Sequence, residues 1–330
     1  MKLSYIIPTY NLPPEDIRRC LTSLSEQDLS REEYEVIVVD DESDVSPEPV
    51  VREFEPQMNV SFLRQPHARQ GAARNAGIRQ ATGDYIRFVD GDDYLPPYTA
   101  AHFLDVMERN ALDILIFGFM TPSPLPRKGE NLPSLHGRGR GWVFPSGKAY
   151  MEGHTVFGSP CTMCFRRSLV ENPPLRFAES TFIEDEGFVT RLVWRSGSLA
   201  VTSDVGYIYV QRPDSTVHRP TPEHTDELFS ARFAALDGIV SLAQTEPQPH
   251  EGLDRKIRFL SLDILRHALR QGDWRQRYHD CCAALVSRGL FPLPQARYGW
   301  KYAVFRRLSL SRPGQRLLHF LESNIVNRKP

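Results

Sequence analysis

Three carboxylates fall within four residues at Asp90-Gly91-Asp92-Asp93, directly after the apolar-rich run Tyr85–Val89. Two more acidic pairs follow similar context: Asp40-Asp41 closes "EVIVV", and Glu184-Asp185 opens a segment of helical periodicity. Carboxylates repel one another and lose hydration near a core, so such clusters ask for a positive partner. Alternation along an extended chain would send Asp90 and Asp92 to one side. Gly91 between them leaves the backbone bare to a bulky ligand. Two carboxylates facing one point are oxygen ligands for a hard divalent cation, Mn²⁺ or Mg²⁺, whose shell is completed by water and phosphate oxygens. Such a cation offsets the charge of a departing diphosphate. D-x-D is also ordinary turn chemistry, and acids at 184–185 would in any case favour a helix N-terminus. Residue types alone leave both readings standing.

The elements that must position these acids alternate. Leu3–Ile7, 35–41, 60–64, 84–90 and 113–119 read as strands. Residues 14–26, 48–55, 71–82, with Gly83 as C-terminal cap, and 97–110 read as helices. This order predicts an α/β fold with a doubly wound sheet, whose ligands bind beyond the carboxyl ends of the strands. Pro8-Thr9-Tyr10-Asn11, Asp40-Asp41 and Asp90-Gly91-Asp92 all lie at such ends. Residues 121–141, rich in Pro, Gly and charge, read as a loop. Strands are expected at 161–167 and, separately, in "AVTSD" and "YIYVQR"; a helix is expected at 184–195. From about 222 the chain reads as mostly helical, ending in an amphipathic helix through Leu317, Leu318, Phe320 and Leu321.

Pro8-Thr9-Tyr10-Asn11, Val39-Asp40-Asp41-Glu42-Ser43, Ala73-Arg74-Asn75-Ala76-Gly77 and Phe88-Val89-Asp90-Gly91-Asp92-Asp93, in that order, with Glu184-Asp185 followed by Phe188 and Arg191, resemble the family 2 glycosyltransferases of GT-A fold. The resemblance covers roughly residues 1–215 and implies a catalytic domain over 1–220 with a mixed sheet, then a helical region over 221–330. It implies transfer of a sugar from a nucleotide-diphosphate donor to an acceptor hydroxyl, with inversion at the anomeric carbon. It implies roles as well. Tyr10, with the backbone around Pro8, would line the nucleobase pocket, and Asp41 or Asp40 would accept a hydrogen bond from the base. Asp90, beside Gly91, would meet the ribose side of the donor, and Asp92 would hold the metal. Arg74 would either contact the donor or hold the acidic rim by ion pairing. Asp185 would be the general base, its basicity raised by Phe182, Phe188 and Trp194. His218 stands where some relatives place an extra metal ligand; a surface role is the other reading. The chain departs from the family where Glu42 replaces a common Gly, and where His67 and Arg69 replace an Asn and a Gly. Arg69 would reach the nucleobase or diphosphate, or lie in a solvated loop. UDP is the nucleotide the resemblance favours, with GDP and dTDP open. The implied partners are the nucleotide sugar and a glycan or lipid-linked glycan acceptor, as in surface polysaccharide synthesis; nucleic acid is not among them. A non-catalytic nucleotide-sugar binder of the same fold is the alternative. An oxidoreductase of Rossmann type would need G-x-G-x-x-G at the first turn, and "PTYNLPPED" has no glycine.

Composition sets the remaining bounds. The formal net charge of −1 hides a basic C-terminal segment: residues 251–330 hold 16 Lys and Arg against 6 Asp and Glu. That segment reads as a solvated or docked basic face, a homodimer contact, or a peripheral contact with anionic lipid. Five irregularly spaced cysteines form no disulfide framework, and the lone Cys161-x-x-Cys164 lacks the further ligands of a zinc site. The N-terminal apolar run, interrupted by Pro8, is too short for a signal peptide, and no window approaches the roughly 18–20 apolar residues of a membrane span. A reducing, cytoplasmic location, with the inner membrane face as an option, is the expectation.

Overall fold

The structure, a computed structural model, describes residues 1–121, 141–211, 221–295 and 299–326. The chain divides into two compact units, Met1–Ala231 and Arg232–Pro330. In the first, β1 (Leu3–Thr9) and β2 (Tyr34–Asp40) are buried almost throughout, as parallel strands covered on both faces must be. With β3 (Val60–Arg64), β4 (Tyr85–Phe88), β5 (Ile114–Met120), β6 (Gly141–Phe144), β7 (Met163–Arg166) and β8 (Leu199–Ile208) they form one sheet of order β3-β2-β1-β4-β7-β5-β8-β6. Neighbours are parallel from β3 to β4 and between β5 and β8; β7 and β6 run antiparallel to their neighbours. The sheet is the doubly wound mixed sheet expected. Its chain order reverses at β1, whose two neighbours are β2 and β4. The carboxyl ends of those strands therefore open a crevice at a topological switch point.

Helices α1 (Pro14–Ser25), α2 (Glu48–Arg52), α3 (Arg69–Gln80) and α4 (Ala100–Arg109) follow the expected order. Gly83 does not cap α3, whose cap is Ala81. A Cβ at Gly83 would lie 2.7 Å from the Ser4 backbone nitrogen, so the glycine answers a close approach to β1. The fourth strand stops at Phe88, and the Asp93 N–H donates to the Asp90 carbonyl at 2.9 Å. The three acids thus sit on a turn, and the alternation argued for Asp90 and Asp92 does not apply. "AVTSD" and "YIYVQR" are largely one strand, β8, with register shifts against β5 near Gly118. Edge strand β6 and the short α5 (Gly147–Gly153) had no clear sequence signal. Cys161 lies in a 3₁₀ turn and Cys164 in β7; both are buried free thiols.

Asp93 ties the acidic turn to the end of β8. Its carboxylate accepts from the Tyr207 hydroxyl at 2.5 Å and from the Val210 N–H at 2.7 Å, and Tyr94 bridges to Ile208.

Helix α6 (Glu184–Arg195) opens with the Glu184-Asp185 pair, and α7 (Pro222–Thr245) crosses the unit boundary. The expected division at 220 therefore falls before the observed one. The first turns of α7 hold to the first unit: Glu227 pairs with Arg69, and the His224 ring meets Phe182 edge-on. The second unit contains the rest of α7 and helices α8 (Glu251–Leu269), α9 (Trp274–Ser287), α10 (Trp300–Ser309) and α11 (Arg312–Val326). Part of its basic charge is used internally: Arg266 and Arg270 clasp buried Glu322, and Arg288 clasps Asp237. Leu318 of α11 is buried, while Leu317, Phe320 and Leu321 are exposed. No described helix is long and apolar enough to cross a membrane.

Burial, with Asp90 adjacent, pushes the Asp93 carboxyl up to about 8. The folded state then binds this proton more tightly than the unfolded chain. Stability from Asp93 is fully present below about pH 4 and is lost as pH rises through about 8. Denaturant titrations of Asp93→Asn, which keeps the neutral shape, should show a flatter stability profile across that range than the wild type. Asp93→Ala, which strands the Val210 N–H, should cost about 1–3 kcal/mol.

Candidate functional site

The crevice is organised by one cation. Arg74, on α3, is 1% exposed. Its Nη1 donates to Glu184 Oε1 at 3.0 Å and to Asp185 Oδ1 at 2.6 Å, and its Nη2 donates to Asp90 Oδ1 at 3.0 Å. Phe177 and Phe88 lie under the guanidinium, 5.3 and 5.9 Å from its carbon, and Phe177 stacks on Phe188. Burial alone would weaken the positive charge; Asp185 and Asp90, with Glu184, outweigh it. The neighbouring Asn75 brings the second half of the site into place: its amide donates to the Phe177 carbonyl and to Glu179, and its Oδ1 accepts from Phe177 N–H. Six residues later Ile183 takes φ 60°, a left-handed conformation costly for a β-branched residue. It turns the chain so that Glu184 and Asp185 enter α6 facing Arg74.

At the carboxyl end of β2 the two aspartates separate in role. Asp40 is spent within the protein, accepting from Ser43 Oγ at 2.5 Å and pairing with Arg64 at 3.2 Å. Asp41 is also buried. Its Oδ1 accepts from Gln65 Nε2 at 2.8 Å and from Ala68 N–H at 3.0 Å, while its Oδ2 has no aligned donor. Of the two, Asp41 is the one left able to accept from a base. Tyr10 is 46% exposed and lies against the His67 ring, centroids 4.4 Å apart. Glu42 has φ 65°, where glycine is the residue without strain, and its Oε2 accepts from His67 N–H at 3.0 Å.

On the turn after β4 Asp90 is shared, since Gln70 Nε2 also donates to its Oδ1 at 2.8 Å, and Tyr207 OH accepts from the Asp90 N–H. Asp92 is partly exposed, and its carbonyl accepts from Arg19 at 2.6 Å. Gly91 does not open the backbone to a ligand: a Cβ there would meet Leu12 and Thr9 side chains at 2.8 and 2.9 Å. Its bare backbone serves packing. Arg69 is no solvated loop residue. At φ 70° it starts α3, its guanidinium lies 3.9 Å over the Phe182 ring, and it pairs with Glu227 at 3.3 Å. His218 lies outside the described residues. Among the described residues no three potential ligands cluster around one point. Asp90 and Asp92 nonetheless fit a hard cation in donor type, two carboxylates in a neighbourhood with an excess of acids. That number suits a cation taking its other ligands from phosphate and water.

Burial, with Glu184 and Asp90 adding, pushes the Asp185 carboxyl up to about 8 against the pull of Arg74. The 28% of its side chain still open to solvent tempers the rise. Trp194 lies further along α6, about 14 Å away at the rise of a helix, against Lys148. Glu184, Gln70 and Tyr207 carry roles that residue types did not assign. Glu184 had the family motif as a signal; Gln70 and Tyr207 had none, because each acts through a contact across the fold. Removing Arg74 would leave three acids facing each other in a largely buried site, so Arg74→Met should destabilise the protein by about 3–5 kcal/mol, read by urea denaturation; a loss under 1 kcal/mol would show that the cluster tolerates its charge unaided.

With this geometry in hand, comparison with known proteins is informative. Residues 4–172 match the family described as Glycosyl transferase family 2. Over 219 residues the chain is 29% identical to poly(ribitol-phosphate) beta-N-acetylglucosaminyltransferase TarS of Staphylococcus aureus, covering 64% of this chain and 36% of TarS. It is 27% identical over 300 residues to the uncharacterized glycosyltransferase EpsJ of Bacillus subtilis, covering 81% of this chain and 86% of EpsJ. The chain thus spans little more than a third of the length of TarS. The crystal structure of residues 1–349 of S. aureus TarS in complex with UDP-GlcNAc superposes with a TM-score of 0.71 at 18% identity, covering 99% of this chain and 92% of that one. The mannosyltransferase PcManGT of Pyrobaculum calidifontis, in complex with GDP-Man and Mn²⁺, gives 0.55 at 17% identity, covering 99% and 86%. These likenesses establish the GT-A fold. The matched motif region covers just over half of the chain, and the chain belongs to glycosyl transferase family 2.

Proposed function

We propose that this protein transfers a sugar from a UDP-sugar to an acceptor hydroxyl of a bacterial surface polymer, inverting the anomeric carbon with the help of a divalent cation. The observation that carries the reading is Arg74, which joins Asp90 on the donor side to Asp185 on the acceptor side through one guanidinium. Family membership supports glycosyl transfer, and the relatives' names support a polymer acceptor.

Tyr10 and Asp41 would hold the base, one by its ring and the other through Oδ2, which has no aligned hydrogen bond. Asp90 would meet the ribose side. Asp92, with Asp90, would hold the cation, which supplies positive charge to the diphosphate as it departs. Asp185 keeps Oδ1 on Arg74 and has Oδ2 for the acceptor. As the hydroxyl oxygen bonds to the anomeric carbon, Oδ2 takes its proton; the bond from that carbon to the diphosphate breaks on the opposite face, giving inversion. A carboxylate of raised pKa is a better base than an ordinary one, and such help is worth roughly 10²–10⁴-fold.

Asp185→Asn should therefore lower transfer by about 10²–10⁴-fold while UDP affinity, measured by calorimetry, stays near wild type; unchanged turnover would remove Asp185 as the base. In the wild type the transfer rate should climb with pH as Asp185 loses its proton, passing half its plateau near pH 8. Asp92→Ala should abolish the Mn²⁺-dependent part of UDP binding. Equal affinity of wild type and variant in Mn²⁺ would count against the metal assignment.

A further inference from the structure

The three departures from the family pattern, Glu42, His67 and Arg69, border the expected base pocket, and two of them meet there. His67 touches both residues assigned to the nucleobase. Its ring lies against Tyr10 at 4.4 Å, tilted by 34°. Its Nδ1 is 3.1 Å from the Asp41 carbonyl oxygen and 2.9 Å from Asp41 Oδ2, the atom that has no aligned hydrogen bond. A planar ring with a nitrogen at its edge, stacked on Tyr10 and pointed at the Asp41 carboxylate, presents what a nucleobase would present.

Resting on the donor-site reading above, we propose that the His67 imidazole occupies the nucleobase place in the free protein and must swing out for the donor to bind, so that His67 sets donor affinity by competition. The main chain is built for such a movement. Glu42 Oε2 holds the His67 N–H and Asp41 Oδ1 holds the Ala68 N–H, so the backbone is pinned on both sides while the ring turns about its own side-chain bonds. Glu42 adopts a left-handed φ in making that contact, a conformation for which glycine is better suited. The imidazole is 42% exposed. Centroids 4.4 Å apart leave no room for a base between the two rings, since stacking on both faces needs a gap of about twice the 3.5–4.0 Å contact distance. The donor and the His67 ring therefore exclude each other from this face of Tyr10. A site whose competent form is only a fraction of the population binds with affinity reduced by that fraction.

The test is calorimetry of UDP with Mn²⁺ on the full chain, comparing wild type, His67→Ala and His67→Asn. Both variants remove the ring and, at an exposed position, should leave the thermal midpoint unchanged. The proposal expects each to bind UDP about fivefold more tightly, the factor for a slot open in about a fifth of molecules. Equal or weaker binding in the variants, with the wild type binding UDP, would overturn it and assign His67 to the pocket wall, leaving the donor-site reading intact. Failure of all three proteins to bind any nucleoside diphosphate would overturn both.

Discussion

A guanidinium removed from water keeps its charge only if anions surround it, and carboxylates so crowded keep theirs only if a cation does. Arg74 and its three acids satisfy both conditions at once, at 2.6–3.0 Å. The four members come from three separate parts of the chain: Arg74 from α3, Asp90 from the turn after β4, Glu184 and Asp185 from the start of α6. The cluster thus depends on the sheet having brought these elements to one rim, and it fixes the rim in return. The aromatic bed of Phe88, Phe177 and Phe188 keeps water from diluting the interaction.

The same crowding explains how one site can offer acids of unlike character. Asp40 is closed in by Ser43 and Arg64, and Asp93 by Tyr207 and Val210; both are framework. Asp41 Oδ2 has no aligned hydrogen bond and lies 2.9 Å from His67 Nδ1, while Asp185 meets Arg74 through Oδ1. In the function proposed above these two acids stand at the base and acceptor ends of the substrate path, with the framework acids beside them. Charge is the common element. Five carboxylates, Asp90, Asp92, Asp93, Glu184 and Asp185, share the neighbourhood of Arg74, and the raised pKa values of Asp93, Glu184 and Asp185 register that excess together with their burial.

Much of the scaffold was legible because it is written in short-range patterns. The short apolar runs gave β1, β2 and β4, the last two ending in acids, and the helices between them gave the winding. What escaped depends on partners distant in sequence. The strand reading of 84–90 missed the turn at Asp90–Asp93, because nothing local shows that Asp93 N–H closes on Asp90. Gly83 looked like a helix cap and is a contact with Ser4. Gly91 looked like an opening for a ligand and is a contact with Leu12. Trp194 looked near Asp185 by number and lies turns away along α6. The departures Glu42 and Arg69 stood out in sequence, but only the backbone shows what they share, a positive φ at positions where the family commonly has glycine.

The most direct test of the central claim, that one cationic hub joins the donor and acceptor ends of a single rim, is a crystal structure with Mn²⁺ and a UDP-sugar bound. The account predicts the base at Tyr10 and Asp41, the ion at Asp92, and Arg74 still bridging Asp90 to Asp185, with Asp185 on the far side of the anomeric carbon from the diphosphate. A donor seated elsewhere, or a bound state in which Arg74 has let go of either Asp90 or Asp185, would contradict it.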